Sequence, residues 1–344
     1  MSDRLKKLSE VVKGKRKVLI ITHNNPDPDS VASAWGLKYI LQHYCKVSSV
    51  VVYGGIIGRS ENRGMIKYLK IEVEPFKEIS LRNFSAIALV DTQPNAGNNP
   101  LPRSIKANII IDHHPLRSSS KNAEYVDVRP EYGSTSSILA EYCIEFSKAT
   151  GKELDKRLAT ALFYGIKSDT RDLGREASEE DIRSVTSLYP LLLIRRLSKI
   201  EHPKVSREYV RVIDRAFKEA EVYRDALIVD IGTLSNPDMI AETADSLLRI
   251  EGIEWVLCLG RYNEELFFSL RTTKRKGNAG RAAINMAKGL GGSAGGHDTI
   301  AGGRFEEGPL TQEEKSELLS KVKERFLKFI NRQDITPASI MEEE

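Results

Sequence analysis

Cysteine is scarce in this chain of 344 residues, which contains only three. Cys45, Cys143 and Cys258 are odd in number and lie far apart along the sequence. A disulfide framework needs paired cysteines, and a cysteine-based zinc site needs clustered ones. The spacing therefore disfavours both a disulfide framework and a cysteine-based zinc site. The three cysteines are expected to be buried apolar residues.

Long hydrophobic runs are also missing from the sequence. No uninterrupted apolar stretch approaches the roughly 20 residues that a helix needs to cross a bilayer. Residues 1–10 are polar and charged, whereas a secretory signal has an apolar core. No association with a membrane is therefore expected, and the sequence favours a cytoplasmic location by default.

A strong net charge is the third feature that the sequence lacks. The 52 lysines and arginines and the 48 aspartates and glutamates give a formal charge of +4. This small excess provides no dominant basic field for binding a long duplex, but it is compatible with small anionic substrates. Apolar residues make up 40% of the chain and charged residues 29%, which is typical of a folded globular protein.

What the first half of the chain does contain is a series of continuous apolar runs. They occupy residues 17–22, 49–53, 86–91 and 107–112. Such runs are typical of strands buried on both faces of a parallel sheet. Ser30 is expected to cap the helix after the first strand. The alternation of strands and helices predicts an open α/β fold with a mostly parallel sheet, followed by further helices.

A second, smaller α/β unit is expected towards the end of the chain. Its strand-like runs lie at residues 226–230, 255–259 and 266–270. A charged stretch with helical spacing, interrupted at His202 and Pro203, precedes these runs. The sequence therefore predicts a first domain at residues 1–190, a helical linker at residues 191–222 and a second domain at residues 223–335.

One imidazole and two carboxylates follow the first predicted strand directly. His23, Asp27 and Asp29 lie within seven residues, and two prolines stiffen the turn that carries them. The carboxyl ends of strands form the ligand crevice of open α/β sheets. Taken alone, the segment could also be a turn rich in aspartate and asparagine that caps the next helix.

The same residue types end two further predicted strands. Asp91 ends the run at residues 86–91, and Asp112, His113 and His114 end the run at residues 107–112. A single aspartate or histidine at a strand end is commonly a turn former or a surface residue. Because three strand ends of one sheet carry such groups, a metal centre is the better explanation.

The donor atoms narrow the kind of metal. Carboxylate and imidazole ligands without thiolate suit manganese, magnesium or iron better than a structural zinc. These candidate ligands are too many for one ion, which favours two ions that share a bridging carboxylate. Such a pair, roughly 3.5–4 Å apart, lowers the pKa of a bridging water and binds a phosphoryl oxygen. The sequence therefore predicts hydrolysis of phosphoesters.

The order of these motifs resembles a known family. The His-x-x-x-Asp-x-Asp pattern at residues 23–29 and the Asp-His-His triplet at residues 112–114 are similar to those of the DHH phosphoesterase superfamily. The glycine- and histidine-containing stretch at residues 295–302 resembles the motif of the DHHA1 subclass. The group includes nano-RNases, pAp phosphatases, cyclic-dinucleotide phosphodiesterases and RecJ-like exonucleases. The resemblance covers nearly the whole chain.

The resemblance implies six ligands for two Mn²⁺ ions, with Mg²⁺ as the alternative metal. They are His23, Asp27, Asp29, Asp91, His113 and Asp169. Asp91 would bridge the ions, His23 and Asp27 would bind the first, and the other three would bind the second. Without the family, Asp169 would be interpreted as a surface residue at a helix end.

The resemblance also implies which residues meet the substrate. His114 would face the scissile phosphate, and Asp112 would orient its neighbours. In the second domain the matching residues are Arg271, Gly295, Gly296 and His297. Arginine can bind phosphate through two hydrogen bonds, and glycines let backbone N–H groups approach an anion closely. Their chemistry therefore fits phosphate binding.

These inferences predict a manganese-dependent enzyme that hydrolyses short nucleotides such as nano-RNA, pAp, or cyclic and linear dinucleotides. A hydroxide that bridges the two metals would attack the phosphate. Three alternatives stay open: a RecJ-like single-strand 5′-exonuclease, an exopolyphosphatase or pyrophosphatase, and a nucleotide-binding protein without turnover. The sequence leaves formation of a homodimer open and identifies no protein partner.

Overall fold

The computed structural model describes residues 1–174 and 177–341. The chain divides into two compact units, Met1–Pro203 and Lys204–Glu344. Each unit combines helices with a sheet, so the predicted α/β fold class is confirmed. Within the described ranges, no helix has both the length and the apolar character needed to cross a bilayer.

The first unit begins as an alternation of strands and helices and ends with a group of helices. Its elements are α1 (Asp3–Val12), β1 (Lys17–Asn24), α2 (Pro28–His43), β2 (Ser48–Gly54), α3 (Ser60–Leu69), β3 (Glu74–Pro75), β4 (Ala86–Val90), β5 (Ile109–Asp112), β6 (Tyr125–Val128), α4 (Thr135–Thr150), α5 (Lys156–Asp169), α6 (Glu179–Leu188) and α7 (Ile194–Glu201). The strands form one sheet in the order β3-β2-β1-β4-β5-β6, and all neighbours are parallel. The predicted parallel sheet is therefore confirmed.

Both faces of the β1 strand are covered, which explains why its sequence is a continuous apolar run. Val18 and Ile20 pack in the large core formed with the helices. Leu19 and Ile21 pack in a smaller cluster on the other face. All four side chains are fully buried, as expected for a strand inside a parallel sheet.

The start of helix α2 differs from the sequence prediction. Asp27, rather than Ser30, is the N-cap, and its carboxylate accepts a hydrogen bond of 2.9 Å from the backbone N–H of Ser30. Aspartate and serine are both favoured N-caps, and Pro28 is well suited to the first helical position. The cap therefore lies three residues earlier than predicted, which places Asp29 in the first turn of the helix.

Two glycines allow α4 and α5 to pack closely against α2. A Cβ atom on Gly36 would lie 2.9 Å from the Cβ of Leu139, and one on Gly165 would lie 2.3 Å from the Oγ of Ser136. A larger residue at either position would push the helices apart. This close packing brings the N-terminus of α4 and the C-terminus of α5 to the carboxyl ends of the strands.

The second unit is a mixed sheet with helices. Its elements are α8 (Arg207–Glu219), β7 (Glu221–Tyr223), β8 (Ala226–Thr233), α9 (Asp238–Leu247), β9 (Trp255–Tyr262), β10 (Glu265–Thr272), α10 (Ala279–Ala287), β11 (Gly292–Gly296), β12 (Ile300–Glu306), α11 (Gln312–Phe329) and β13 (Ala338–Ser339). The strand order is β11-β12-β10-β9-β8-β7-β13. β8 and β9 are parallel, and the other neighbours are antiparallel.

The stretch at residues 191–222 contributes to both units. Leu197 and Ile200 of α7 belong to the core of the first unit. Val212 and Ala216 of α8 pack in a core of the second unit with residues of β8 and α9. Helix α7 ends at Glu201, directly before the His-Pro interruption. The helices on either side of this interruption therefore stabilise different units.

Candidate metal centre

Three neighbouring strands carry their polar residues to one edge of the first sheet. β1, β4 and β5 lie side by side, and His23, Asp91 and His113 lie at their carboxyl ends. Three sets of side chains there have ligand atoms within 4.8 Å of one another. The sets are His23, Asp27 and Asp91; Asp29, His113 and Asp169; and Asp91, His113 and His114. The fold therefore gathers all six of the predicted metal ligands.

The first set is centred on the imidazole of His23. Its Nε2 lies 3.6 Å from Asp27 Oδ1 and 3.5 Å from Asp91 Oδ2. Its Nδ1 lies 2.9 Å from the carbonyl oxygen of Asn24. When Nδ1 donates its hydrogen to this carbonyl, the lone pair of Nε2 points at the two carboxylates. This is the arrangement that a metal-binding histidine requires.

The second set has the same arrangement around His113. Its Nδ1 lies 3.2 Å from the carbonyl oxygen of Tyr132, and its Nε2 lies 3.3 Å from Asp169 Oδ2. The Nε2 atom is also 3.7 Å from Asp91 Oδ1. One oxygen of Asp91 therefore faces His23, and the other faces His113. This geometry suits a carboxylate that bridges two ions.

The N-terminus of α4 fixes the two carboxylates that are most deeply buried among the six predicted metal ligands. The backbone N–H groups of Thr135 and Ser136 donate to the two oxygens of Asp29 at 2.8 and 2.7 Å. The hydroxyl of Thr135 donates to Asp91 Oδ1 at 2.8 Å. The positive end of a helix dipole favours carboxylates at this position. The helix therefore compensates part of the cost of burying two negative charges.

The backbone of Asp91 has an uncommon conformation. Its φ of 58° lies in the left-handed region, which residues other than glycine rarely adopt. Its N–H still donates to the carbonyl of Ile111 at 3.0 Å, so the chain turns only after the last strand hydrogen bond. Strained backbone of this kind is concentrated at functional sites. Here the turn directs the carboxylate towards both imidazoles.

A chain of hydrogen bonds also orients His114. Its Nδ1 lies 2.9 Å from Asp112 Oδ1, and the Nε2 of Gln93 donates to Asp112 Oδ2 at 2.7 Å. The Oε1 of Gln93 accepts from the backbone N–H of Arg117 and the hydroxyl of Ser120, at 2.8 and 2.7 Å. Gln93 and Asp112 are buried, whereas 42% of the His114 side chain is exposed. Buried groups therefore hold one side of an accessible imidazole.

The crowding of charges shifts several pKa values. Burial lowers the pKa of His23, but the carboxylates of Asp27 and Asp29 and the hydrogen bond to Asn24 together outweigh this effect, and the pKa is raised to about 9. Removal from water, and then the negative charges of Asp29 and Asp27, raise the pKa of Asp169 to about 8. Burial and then repulsion from Asp29 raise the pKa of Asp91 well above its usual value. A divalent ion bound among these groups would compete with protons for the same atoms.

In the second unit, the glycine-rich segment forms the hairpin of β11 and β12. Gly296 and His297 line an open pocket together with residues at the start of α10, among them Gly280 and Arg281. A Cβ on Gly280 would lie 2.4 Å from the carbonyl oxygen of Gly296, so the two backbones touch. Gly295 precedes the pocket in β11 and is exposed.

Arg271 lies on the strand next to this hairpin, where it pairs with Ile300 of β12. It is buried in β10, and its Nε donates to Asp245 Oδ1 of α9 at 2.6 Å. Its Nη1 donates to the carbonyls of Leu270 and Ala301 at 3.1 and 3.3 Å. Arg271 is not among the residues that line the pocket of His297. The structure therefore brings Gly296 and His297 together but leaves Arg271 outside their pocket.

Sequence reasoning missed three residues at the metal centre. Gln93 follows Asp91 and Thr92 in a segment whose sequence is typical of a turn. No local sequence pattern indicates that the Gln93 side chain contacts Asp112. Thr135 and Ser136 stand in a run of hydroxyl residues that signals the start of a helix. Their contact with Asp29 spans more than 100 residues of sequence. Only the fold reveals this pairing.

Both units match models of known families. Residues 17–166 match the DHH family, N-terminal domain, and residues 225–328 match the DHHA1 domain. An uncharacterized protein of Methanocaldococcus jannaschii is 36% identical over 316 residues. The match covers 91% of this chain and 63% of that protein, so this chain spans less than two thirds of its relative.

Two relatives have named activities. The cyclic-di-AMP phosphodiesterase GdpP of Bacillus subtilis is 23% identical over 278 residues, which is 75% of this chain and 41% of that protein. A probable manganese-dependent inorganic pyrophosphatase of Streptococcus pyogenes is 28% identical over 157 residues, which is 45% of this chain and 48% of that protein. Both names describe enzymes that hydrolyse phosphate bonds.

A solved structure shares the fold along nearly the whole chain. It is an exopolyphosphatase-related protein from Bacteroides fragilis, with a TM-score of 0.72 and 15% sequence identity. The superposition covers 95% of this chain and 97% of that one. This likeness concerns the fold alone, whereas the two family models also match the sequence. The chain therefore belongs to the DHH phosphoesterases that carry a DHHA1 domain.

Proposed function

We propose that this chain hydrolyses a phosphoester bond of a short nucleotide with the help of two divalent ions, Mn²⁺ or Mg²⁺. The carboxylate of Asp91 is the observation that carries the proposal. Its two oxygens face the Nε2 atoms of His23 and His113 at 3.5 and 3.7 Å. A carboxylate shared in this way is what a two-ion phosphoesterase needs.

The donor atoms fit such ions. Asp27 completes the set around His23, and Asp29 and Asp169 complete the set around His113. Imidazole nitrogen and carboxylate oxygen suit Mn²⁺, and no thiolate that would select a softer metal belongs to the sets. When bound, two such ions supply a water of lowered pKa and neutralise charge on a phosphoryl oxygen.

His114 is proposed to meet the phosphate. Its Nδ1 is held by Asp112, so the exposed Nε2 edge is the part of the ring that a substrate can reach. A hydrogen bond between this edge and a phosphate oxygen would hold the phosphate beside the centre, while Asp112 fixes the orientation of the ring. Gln93 is a positioning residue, because it acts on His114 only through Asp112.

Short nucleotides are the proposed substrate class. The likeness to the cyclic-di-AMP phosphodiesterase covers 75% of this chain, whereas the likeness to the pyrophosphatase covers 45%. The formal charge of +4 provides little attraction for a long strand. Gly295, Gly296 and His297 are proposed to bind a phosphate of the substrate in the second unit, and Arg271 is proposed as a further contact.

A substrate panel tests the proposal. The purified chain is incubated with Mn²⁺ or Mg²⁺ and with pAp, pApA, cyclic di-AMP, longer single-stranded RNA and DNA, or pyrophosphate. We expect the highest kcat/KM on a mononucleotide or dinucleotide substrate, and loss of turnover on addition of a chelator. Turnover should return when the metal is restored.

The other outcomes of the panel distinguish the alternatives. Faster degradation of long single strands than of dinucleotides would replace the proposal with an exonuclease. A preference for pyrophosphate would indicate a pyrophosphatase. An absence of turnover on every substrate with either metal would contradict the enzymatic proposal altogether.

A further inference from the structure

The first unit contains a cavity that the metal centre does not use. It lies between the second half of α2 and the segment that joins α4 to α5. Trp35, Tyr39 and His43 line it on the α2 side. Lys152 and Lys156 line it on the opposite side. The cavity therefore combines an aromatic wall with a basic rim.

The charges of the rim favour an anion. Four lysine or arginine side chains and two acidic side chains line the cavity. Arg157 is paired with Asp155 at 2.9 Å, and Lys38 is paired with Glu72, also at 2.9 Å. In the described part of the chain, no carboxylate pairs with Lys152 or Lys156. Their positive charges are therefore available to a ligand.

Polar groups lie within and beside the aromatic wall. The ammonium group of Lys152 lies 2.8 Å from His43 Nδ1 and 5.8 Å from the centre of the Tyr39 ring. Burial and then the positive charges of Lys152 and Lys46 lower the pKa of His43, which favours the neutral ring that can accept a hydrogen bond from Lys152. Among the residues described, the buried hydroxyl of Tyr39 has no hydrogen-bond partner. Because this hydroxyl is buried, the polar groups at the wall that a ligand meets are those of His43 and Lys152.

The cavity is separate from the metal centre. Helix α2 carries Asp29 in its first turn and Tyr39 ten residues later. At 1.5 Å per residue, this separation corresponds to about 15 Å along the helix. A small ligand bound beside Tyr39 and His43 therefore does not reach the metal ligands.

We propose that this cavity is a second binding site for a nucleoside monophosphate, distinct from the catalytic site. Lys152 and Lys156 bind the phosphate, because they are the unpaired cations of the rim. The planar base packs against the wall formed by Trp35, Tyr39 and His43, since aromatic rings bind bases by stacking. A ligand that carries both a phosphate group and a planar ring would occupy the basic rim and the aromatic wall together.

Binding is tested by titrating the full-length chain with AMP in the presence of a chelator, which removes metal-dependent binding at the catalytic site. The chain has two tryptophans, Trp35 and Trp255. We expect AMP to change the tryptophan fluorescence, and we expect Trp35→Phe to abolish the change. Calorimetry of the same titration gives the Kd. Inorganic phosphate and adenosine are titrated as the separate halves of the ligand.

Charge reversal provides the second test. Lys152→Glu combined with Lys156→Glu should weaken AMP binding by about tenfold or more, because two charge-assisted contacts are replaced by repulsion. The matched control combines Lys7→Glu with Lys106→Glu, which reverses two exposed lysines of the same unit that do not line the cavity. We expect the control to retain the Kd of the unaltered chain. The change in Trp35 fluorescence on addition of AMP should persist in His297→Ala, because Trp35 lies in the first unit and His297 in the second.

Several results would overturn the proposal. The site does not exist if AMP does not bind, or if the Lys152 and Lys156 reversals leave the Kd unchanged. If the Lys7→Glu and Lys106→Glu control lost as much affinity for AMP, the effect would come from the overall charge of the chain and not from the cavity. If phosphate alone binds as tightly as AMP, the aromatic wall contributes nothing and the ligand is not a nucleotide. Loss of binding in His297→Ala would assign the signal to the second unit.

Discussion

The metal centre of the first unit and the glycine-rich hairpin of the second unit are built in different ways. At the metal centre, side chains are held by side chains and by a helix terminus: Asp29 accepts two backbone N–H groups, and Asp91 accepts from Thr135. At the hairpin, Gly295, Gly296 and His297 are exposed, and the contacts are between backbones.

This difference bears on what each region can do. Buried carboxylates cannot move without breaking hydrogen bonds in a medium of low polarity, so Asp29 and Asp91, two of the proposed metal ligands, are held in place before any ion binds. An exposed hairpin with glycines has few side-chain contacts to lose, so it can adjust to a ligand. We therefore expect substitutions at the centre to alter the rate and substitutions at the hairpin to alter the KM.

Asp91→Asn is expected to have the largest effect. The amide keeps the shape of the side chain but provides only one oxygen, so it cannot bridge two ions. We expect kcat/KM to fall by about three orders of magnitude, as for other residues that act as part of a catalytic unit. Bound metal, measured by elemental analysis after gel filtration, should fall in parallel.

The matched control for this variant is Asp3→Asn, which alters a fully exposed carboxylate of the same unit. It should retain both the activity and the metal. If Asp91→Asn kept its full metal content, then Asp91 would not be a bridge, whatever the change in rate.

Gln93→Ala should have a smaller effect that concerns His114. The variant removes the donor to Asp112 Oδ2 but none of the six proposed metal ligands. Loss of such a supporting residue commonly costs about 10–100-fold in activity. We expect a lower kcat with an unchanged metal content, and a changed pH profile, because Asp112 then holds His114 less firmly.

The pH profile separates this role from a purely structural one. Gln93 also accepts from Arg117 and Ser120, so some loss of melting temperature is expected. Gln333→Ala, at an exposed position in the second unit, is the control. A drop in kcat that merely follows the unfolded fraction, with the pH profile unchanged, would reject the positioning role.

Much of the fold could be predicted from the sequence because parallel strands leave a local signal. The runs at residues 17–22 and 86–91 coincide with β1 and β4, since strands buried on both faces must be apolar throughout. The cap of α2 was predicted wrongly because Asp27 and Ser30 are equally good N-caps, and the choice depends on where the chain leaves β1.

The clustering of His23, Asp91 and His113 was also predictable, because the carboxyl ends of neighbouring parallel strands share one edge. The contacts that hold the cluster were not. Asp29 pairs with the start of α4, and Arg271 pairs with Asp245. The partners are too far apart in the sequence for a local pattern to predict the contact. These contacts follow from the packing of whole helices, which a single sequence does not specify residue by residue.

Two neighbouring glycines test the hairpin. A Cβ on Gly295 meets nothing within 4 Å, whereas a Cβ on Gly296 would lie 2.4 Å from the Cα of Ala301. We expect Gly295→Ala to leave the melting temperature unchanged but to raise the KM by about tenfold, because a methyl group obstructs the approach of phosphate to the backbone. Gly296→Ala should lower the stability by about 1–3 kcal/mol, since the clash involves backbone atoms.

Thermal denaturation and steady-state kinetics of both variants distinguish the two effects. If Gly295→Ala left the KM unchanged, then the backbone at this position would not approach the substrate. If Gly296→Ala were as stable as the unaltered chain, then the hairpin would be more adaptable than the contact with Ala301 indicates.

The stability of the chain is also expected to depend on pH, and bound metal should suppress this dependence. The pKa of Asp169 is raised to about 8 and that of His23 to about 9, so the folded chain binds more protons than the unfolded chain between each ordinary pKa and its raised value. The stability that Asp169 contributes is present at low pH and is lost as the pH rises to about 8. The stability that His23 contributes is lost as the pH rises to about 9. In chelator, the melting temperature should therefore decrease as the pH rises from 6.5 to 9. The expected decrease is about 2–4 °C for each kcal/mol of unfolding free energy that is lost. Saturating Mn²⁺ displaces these protons and should flatten the curve, whereas equal slopes with and without Mn²⁺ would show that no metal binds at these groups.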